Sequence, residues 1–138
     1  MVEMSEPAHL TDMAVDIGIQ RGEWGNGRSS VWLLVESKHC NKGGVAHGGL
    51  YTMMLDMALG GALVSTLPKQ EWCATTQLSI SFISAARPEE KITANGSVVK
   101  RGKNVAHLEG RITTESGRTI ATATGTWAIW DHKPASMS

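Results

Sequence analysis

The hydrophobic pattern changes its period twice along the chain. Ile17 to Trp24 and Arg28 to Glu36 are short runs rich in Ile, Val and Trp, and they flank Gly25-Asn26-Gly27. Asn-Gly between two such runs is a strong tight-turn signal, so a hairpin is predicted here. Ser37 to Gly44 is polar, carries a Gly pair and reads as a loop. Gly48 to Leu67 then reads as one helix, about 30 Å long at about 1.5 Å per residue. Its apolar residues (Leu50, Met53, Met54, Leu55, Met57, Leu59, Leu63, Val64) lie on nearly every side, as in a helix surrounded by protein. Gly60-Gly61 weakens its intrinsic propensity, for which close approach of another backbone would compensate. Pro68 ends it.

Beyond the helix the period becomes two. Thr76, Leu78, Ile80 and Phe82 face one way; Thr75, Gln77, Ser79 and Ser81 face the other. Strands follow at about 91–100, 104–115 and 118–130, with turns at Arg101-Gly102-Lys103 and Ser116-Gly117. In the last, Ala121, Ala123, Gly125, Trp127 and Ile129 share a face whose small residues would admit a close helix. Residues 1–16 form a loose or weakly helical lead-in, 17–130 a single domain, and 131–138 an unstructured tail. Strands, one long buried helix, then four strands in meander order imply an α+β fold. An antiparallel β-sheet wrapped around one central helix buries that helix most simply, and this is the hot-dog arrangement.

Charge narrows the function. Thirteen basic side chains balance thirteen acidic ones, against the basic excess of nucleic-acid binders and against strong attraction to a membrane surface. A net charge near zero fits a chain that buries surface in an oligomer. Leu50 to Leu67 is near the lower length limit for a membrane span, but Asp56 inside it would cost about 2.5–3.5 kcal/mol at a bilayer centre. A buried soluble helix is the better reading. Cys40 and Cys73 lack CxxC spacing and read as reduced thiols; Met1 to Pro7 offers no apolar signal-peptide core, so a cytoplasmic protein is expected. His9, His39, His107 and His132 have no ligand-like spacing, and no metal or cofactor is expected. Phosphate-loop and GxSxG motifs are absent from the sequence.

Asp56 is the anomaly, a carboxylate in the middle of the most apolar segment. Aspartate is almost never fully buried without a partner, so it either lines a pocket or satisfies a buried polar group. The turn Ala46-His47-Gly48-Gly49 precedes its helix. Glycines at a helix start leave backbone N–H groups uncovered, where the helix dipole adds positive potential, a natural place to polarise a carbonyl oxygen; HGG is also, more simply, a tight loop. Asn41, just upstream, has an amide that can place a water, or is an ordinary loop residue.

Together these residues resemble a known family. Asn41, six residues to His47 of HGG, then nine to Asp56, keeps the spacing of the PaaI-type acyl-CoA thioesterases of the hot-dog superfamily. Thr75 to Phe82, Ala85-Ala86-Arg87-Pro88, Arg101-Gly102-Lys103 and Ala121 to Thr126 are similar to later segments of that family, so the resemblance covers roughly 17–130. A proline is common there where this chain has Ala85. The resemblance implies Asp56 as general base or nucleophile for thioester hydrolysis. It implies Asn41 and His47 near the thioester, the Gly49 N–H, with Gly48, on the carbonyl oxygen, and Thr75 holding the water.

Spacing adds a constraint. His47 and Asp56 are separated by about 13 Å along one helix, whereas general-base chemistry needs contact near 3 Å or one bridging water. If both act on one thioester they come from different chains, as in an isologous dimer with two identical sites, alone or as a dimer of dimers. Arg101, Gly102 and Lys103, helped by Arg87 or Lys91, suit the phosphates of an acyl-CoA substrate. The alternatives are a hot-dog hydratase or dehydratase acting on an acyl thioester, for which a Gly-Asp-x-Asn-Pro-like segment is lacking, and a non-catalytic acyl-CoA binder.

Overall fold

The computed structural model describes residues 2–137; Met1 and Ser138, the ends of the lead-in and the tail, lie outside the described residues. The order is α1 (Asp12–Ile17), β1 (Gln20–Gly25), β2 (Arg28–Leu34), α2 (Gly48–Val64), β3 (Trp72–Phe82), β4 (Lys91–Arg101), β5 (Val105–Thr114) and β6 (Thr119–Trp130), with single 3₁₀ turns at Ser37–His39 and Ala135–Met137. All the strand pairings are antiparallel, in the order β1-β2-β4-β5-β6-β3. The sheet curls around α2: the hot-dog fold. Among the described residues no helix is long and apolar enough to cross a membrane.

The first hairpin turns at Asn26 and Gly27, both in the left-handed region (φ 54° and 77°), as its Asn-Gly predicts. The strand expected from Ile17 starts later, because Ile17 closes α1 and Gly18 caps it at φ 100°. The last four strands do not run as one meander. Only β4, β5 and β6 do; β3 pairs with β6 at the far edge. β2 already occupies one side of β4, and β3 on the opposite edge lets Cys73, Leu78 and Ile80 pack against the core from the other side.

Helix α2 ends at Val64, three residues before the predicted Leu67. There the Ser65 hydroxyl donates to the Ala62 carbonyl at 2.7 Å and the Thr66 hydroxyl to Leu63 at 2.7 Å. The N–H groups of Thr66 and Leu67 bond only three residues back, so the chain tightens out of α-geometry. Helix and sheet approach most closely at β4, not at the small residues of β6. A Cβ at Gly96 would stand 2.5 Å from the Ala58 carbonyl oxygen, and one at Gly110 2.5 Å from Leu59 Cδ1. On β6 the inward face of Ala121, Ala123, Gly125, Trp127 and Ile129 is buried as expected, but the Trp127 indole fills the space towards Gly60.

The helix is not covered all round. Met54, Leu55, Ala58, Leu59, Ala62 and Leu63 are completely buried. Gly49, Thr52 and Asp56 are exposed, and Met53, Met57 and Gly60 half-buried. These six recur at three- and four-residue spacing and form one open stripe along α2. The stripe neighbours β3, whose outer edge has no strand partner among the described residues.

Candidate active site

Asp56 lies on this stripe, exposed in the single chain rather than buried as its apolar neighbours suggested. The Thr75 hydroxyl donates to Asp56 Oδ1 at 2.7 Å. Strict alternation would turn Thr75 away with Ser79 and Ser81, but the β3–β6 register slips between Thr75 and Gln77. That irregularity returns Thr75 to the face towards α2. Beside the pair, Cys73 is buried; burial first, and the Asp56 charge second, push its thiol up to about 12.

The Asn41-to-Gly49 segment forms the other half. Asn41 Oδ1 accepts the Gly43 N–H at 2.9 Å and the Asn41 carbonyl accepts the Gly44 N–H at 3.0 Å, an Asx-type turn in which Gly44 takes φ 78°. Asn41 therefore spends its side-chain oxygen on the loop, and its amide nitrogen is the end left for a ligand. His47 is the N-cap of α2, exposed and without a side-chain cap bond. Its N–H donates to the His39 carbonyl at 2.9 Å. His39 is a satisfied core histidine: Nδ1 accepts the Glu36 N–H at 2.9 Å, which leaves the proton on Nε2, facing the Ile17 carbonyl at 2.6 Å. The N–H groups of Gly48 and Gly49 open the helix, where intrahelical acceptors do not exist. A Cβ on Gly48 would meet the Phe82 ring at 3.1 Å, whereas one on Gly49 would meet nothing within 4 Å among the described residues. Gly49 is bare where the chain itself leaves room for a side chain.

A groove of about 460 Å³ runs between this turn and the segment after β3, walled by Val45, Ala46, Gly48, Tyr51, Phe82, Ile83 and Ala85. It is apolar, and Phe82 and Ile83 are more than half exposed along it. A trough of about 510 Å³ crosses the outer face of the sheet. Its walls are polar (Arg28, Asn95, Glu109, Arg111), and it has no access to Asp56 because the sheet stands between.

Gly49 and Asp56, seven residues apart on one helix, stand about 10 Å apart along its axis, so the structure does not bring them together within one chain. Arg101, Gly102 and Lys103 join β4 to β5. Arg101 pairs with Ala106, Ala106 with Trp127 and Trp127 with Thr75, which puts this turn about 14 Å from Thr75 at strand spacing. Arg101 is already engaged: Nη2 donates to Glu71 Oε1 at 2.7 Å and Nη1 to the Gly102 carbonyl at 2.6 Å. Lys103 is exposed and is the freer cation. Among the described residues, no group of three His, Cys, Asp or Glu side chains could hold a metal.

Sequence reasoning missed Glu71, Tyr51 and the pair Glu90–Arg118, joined at 2.7 Å. Tyr51 had a signal, as an aromatic hydroxyl in an apolar helix: its Oη accepts the Ala86 N–H at 2.9 Å. The two ion pairs join residues far apart in sequence and leave no trace in spacing.

A six-stranded antiparallel sheet curled around one long helix is the fold of the thioesterase superfamily. The thioesterase superfamily model matches residues 43–121, more than half of the chain, and the protein belongs to that family of thioester hydrolases. It is 30% identical over 90 residues to acyl-coenzyme A thioesterase 13 of Mus musculus, covering 64% of each chain. Its fold matches the PaaI protein of the E. coli phenylacetic acid degradation operon with a TM-score of 0.80 at 21% identity, covering 86% of this chain and 83% of that one. It also matches a hypothetical thioesterase protein of Streptococcus pneumoniae solved with coenzyme A, with a TM-score of 0.78 at 24% identity, over 88% of this chain and 94% of that one. The protein is PaaI-like in fold.

Proposed function

We propose that the protein hydrolyses an acyl-CoA thioester to a carboxylic acid and free CoA at a site shared by two copies of the chain. The observation that carries this reading is the Asp56–Thr75 pair at 2.7 Å on the open stripe of α2. With Thr75 holding Oδ1, the second carboxylate oxygen is free to take a proton from water. The hydroxide so formed adds to the thioester carbonyl. The oxyanion that develops is met by the Gly49 N–H, with Gly48, at the positive end of α2. Collapse of the tetrahedral intermediate breaks the C–S bond, and the departing thiolate takes the proton from Asp56. Direct attack by the Asp56 carboxylate on the carbonyl, followed by hydrolysis of the anhydride, uses the same groups. Asn41 and His47 place the water or the carbonyl from the turn.

One chain cannot deliver both halves across about 10 Å. A second copy, its α2 antiparallel against the open stripe and its β3 beside the unpaired β3 edge, sets each Asp56 against the other chain's HGG turn. It also covers Met53 and Met57 and the sheet edge, the kind of exposed edge that proteins usually protect. The apolar groove beside the turn receives the acyl group. Lys103, with Arg101 held next to it by Glu71, lies at the CoA phosphates.

The test is release of free thiol from a panel of acyl-CoAs, read by a thiol reagent. Turnover that depends on enzyme and varies with the acyl group is expected. Absence of thiol release across the panel, with water addition to an enoyl-CoA seen by absorbance, would replace hydrolase by hydratase. Saturable binding without either reaction would leave an acyl-CoA binder.

A further inference from the structure

The segment 83–90 leaves β3 and reaches β4 without regular secondary structure, yet it forms one wall of the groove. Arg118, in the β5–β6 turn, holds it. Nη1 donates to Ser84 Oγ at 2.9 Å and to the Ala85 carbonyl at 2.8 Å; Nη2 donates to Glu90 Oε1 and Oε2 at 2.9 and 2.7 Å. Glu90 Oε1 also accepts the Arg87 N–H at 2.9 Å, closing the segment on itself. That bond first, and Arg118 second, hold the Glu90 carboxyl below the usual carboxylate range. Glu89 is kept at φ 74° between them, a conformation a non-glycine residue holds only when its surroundings impose it.

At the centre of this segment is Ala86, completely buried. Its N–H donates to Tyr51 Oη at 2.9 Å, and its carbonyl accepts the Ala46 N–H at 2.9 Å. Ala46 is the residue before the HGG turn, and Tyr51 lies in the first turn and a half of α2. One residue therefore ties the wall of the groove to both sides of the carbonyl-polarising turn.

We propose that Arg118 is a positioning residue for the HGG turn, acting through the 83–90 segment and the Ala86–Ala46 and Ala86–Tyr51 hydrogen bonds. This rests on the thioester reading above. The pair with Glu90 is partly exposed, with side-chain exposures of 42% and 30%, so as an ion pair it adds little stability. Its effect is geometric, since the planar guanidinium engages three acceptor groups at fixed angles, which a lysine ammonium cannot do.

The test compares Arg118→Lys, Glu90→Gln and Lys69→Ala, the last losing a surface pair to Glu3 at 3.1 Å, by amide hydrogen exchange and by steady-state kinetics. Arg118→Lys is expected to keep the fold and to speed exchange at the Ala46 and Ala86 amides by roughly tenfold or more. It should lower kcat by roughly tenfold, less than the roughly 10²-fold that a misplacement of about 1 Å can cost, with a smaller change in KM. Glu90→Gln should show the same changes in weaker form, and Lys69→Ala neither. Unchanged exchange at Ala46, or faster exchange confined to 83–90 with kcat intact, would overturn the proposal. If the unmodified protein hydrolyses no thioester, the functional reading fails; the exchange at Ala46 still decides whether Arg118 orders the turn.

Discussion

Replacing Gly49 by Ala separates what the chain needs from what its chemistry needs. Within the chain a Cβ at Gly49 meets nothing within 4 Å, and its φ is not in the left-handed region, so strain is absent. Alanine is preferred to glycine in a helix by about 0.8–1 kcal/mol in the interior; at this second helical position we expect about 0.5 kcal/mol or less, a rise in Tm of roughly 1–3 °C. The same methyl projects about 1.5 Å into the space where the thioester carbonyl must approach the Gly49 N–H. Misplacement by about 1 Å can cost on the order of 10²-fold, and outright loss of such a donor about 10²–10³-fold. Gly49→Ala is therefore expected to unfold at the same or a slightly higher temperature, with kcat/KM on the best acyl-CoA lower by at least tenfold. Calorimetry and initial rates on one preparation, with its oligomeric state recorded by light scattering, measure both. Full activity in a well-folded Gly49→Ala protein would refute the claim that the bare Gly49 serves the carbonyl.

Further outcomes follow from the same geometry. Asp56→Asn keeps the shape of the Thr75 contact but removes the proposed base, and turnover should fall by about 10²–10⁴-fold with folding intact; near-normal rates would exclude Asp56 as base or nucleophile. Lys103→Ala should raise KM for acyl-CoA much more than for a truncated thioester lacking the nucleotide, while Arg101→Ala should also lower Tm by releasing Glu71; equal KM effects on both substrates would remove this turn from CoA recognition. Cys73, buried and with its thiol pushed up to about 12, should resist alkylation in the native protein near pH 8 and react on unfolding, as peptide mass mapping would show. Because the folded chain keeps a thiol proton that the unfolded chain loses near pH 8.5, Cys73 also makes stability fall as pH rises above that value; native-state labelling at the unfolded rate would contradict its placement.

Much of this molecule is legible in its residues, and the failures have physical causes. Asn26-Gly27 marks its turn because few residues adopt two successive positive φ values. The central helix is plain from its apolar length, and Asp56 stands out because a carboxylate there needs a reason. Its exposure was not legible: the open stripe of Gly49, Thr52 and Asp56 is interleaved with Met53 and Met57, so composition alone looks apolar all round. The place of Thr75 depends on a one-residue slip in register, which inverts the face that alternation assigns. The position of β3 beside β6 is decided by which strand already occupies β4, a long-range choice. Glu71–Arg101 and Glu90–Arg118 are contacts of the folded chain, without any periodic signature.

The shared site is tested most directly by complementation. An Asp56→Ala chain is mixed with a Gly49→Pro chain, which lacks the polarising N–H, after each is shown to be folded and subunit exchange is shown by mass. Each protein alone should be nearly inactive. The exchanged mixture should regain activity in proportion to the heterodimer formed, because each heterodimer holds one site with an intact Asp56 facing an intact turn. Exchange without recovery of activity would contradict a site built from two chains.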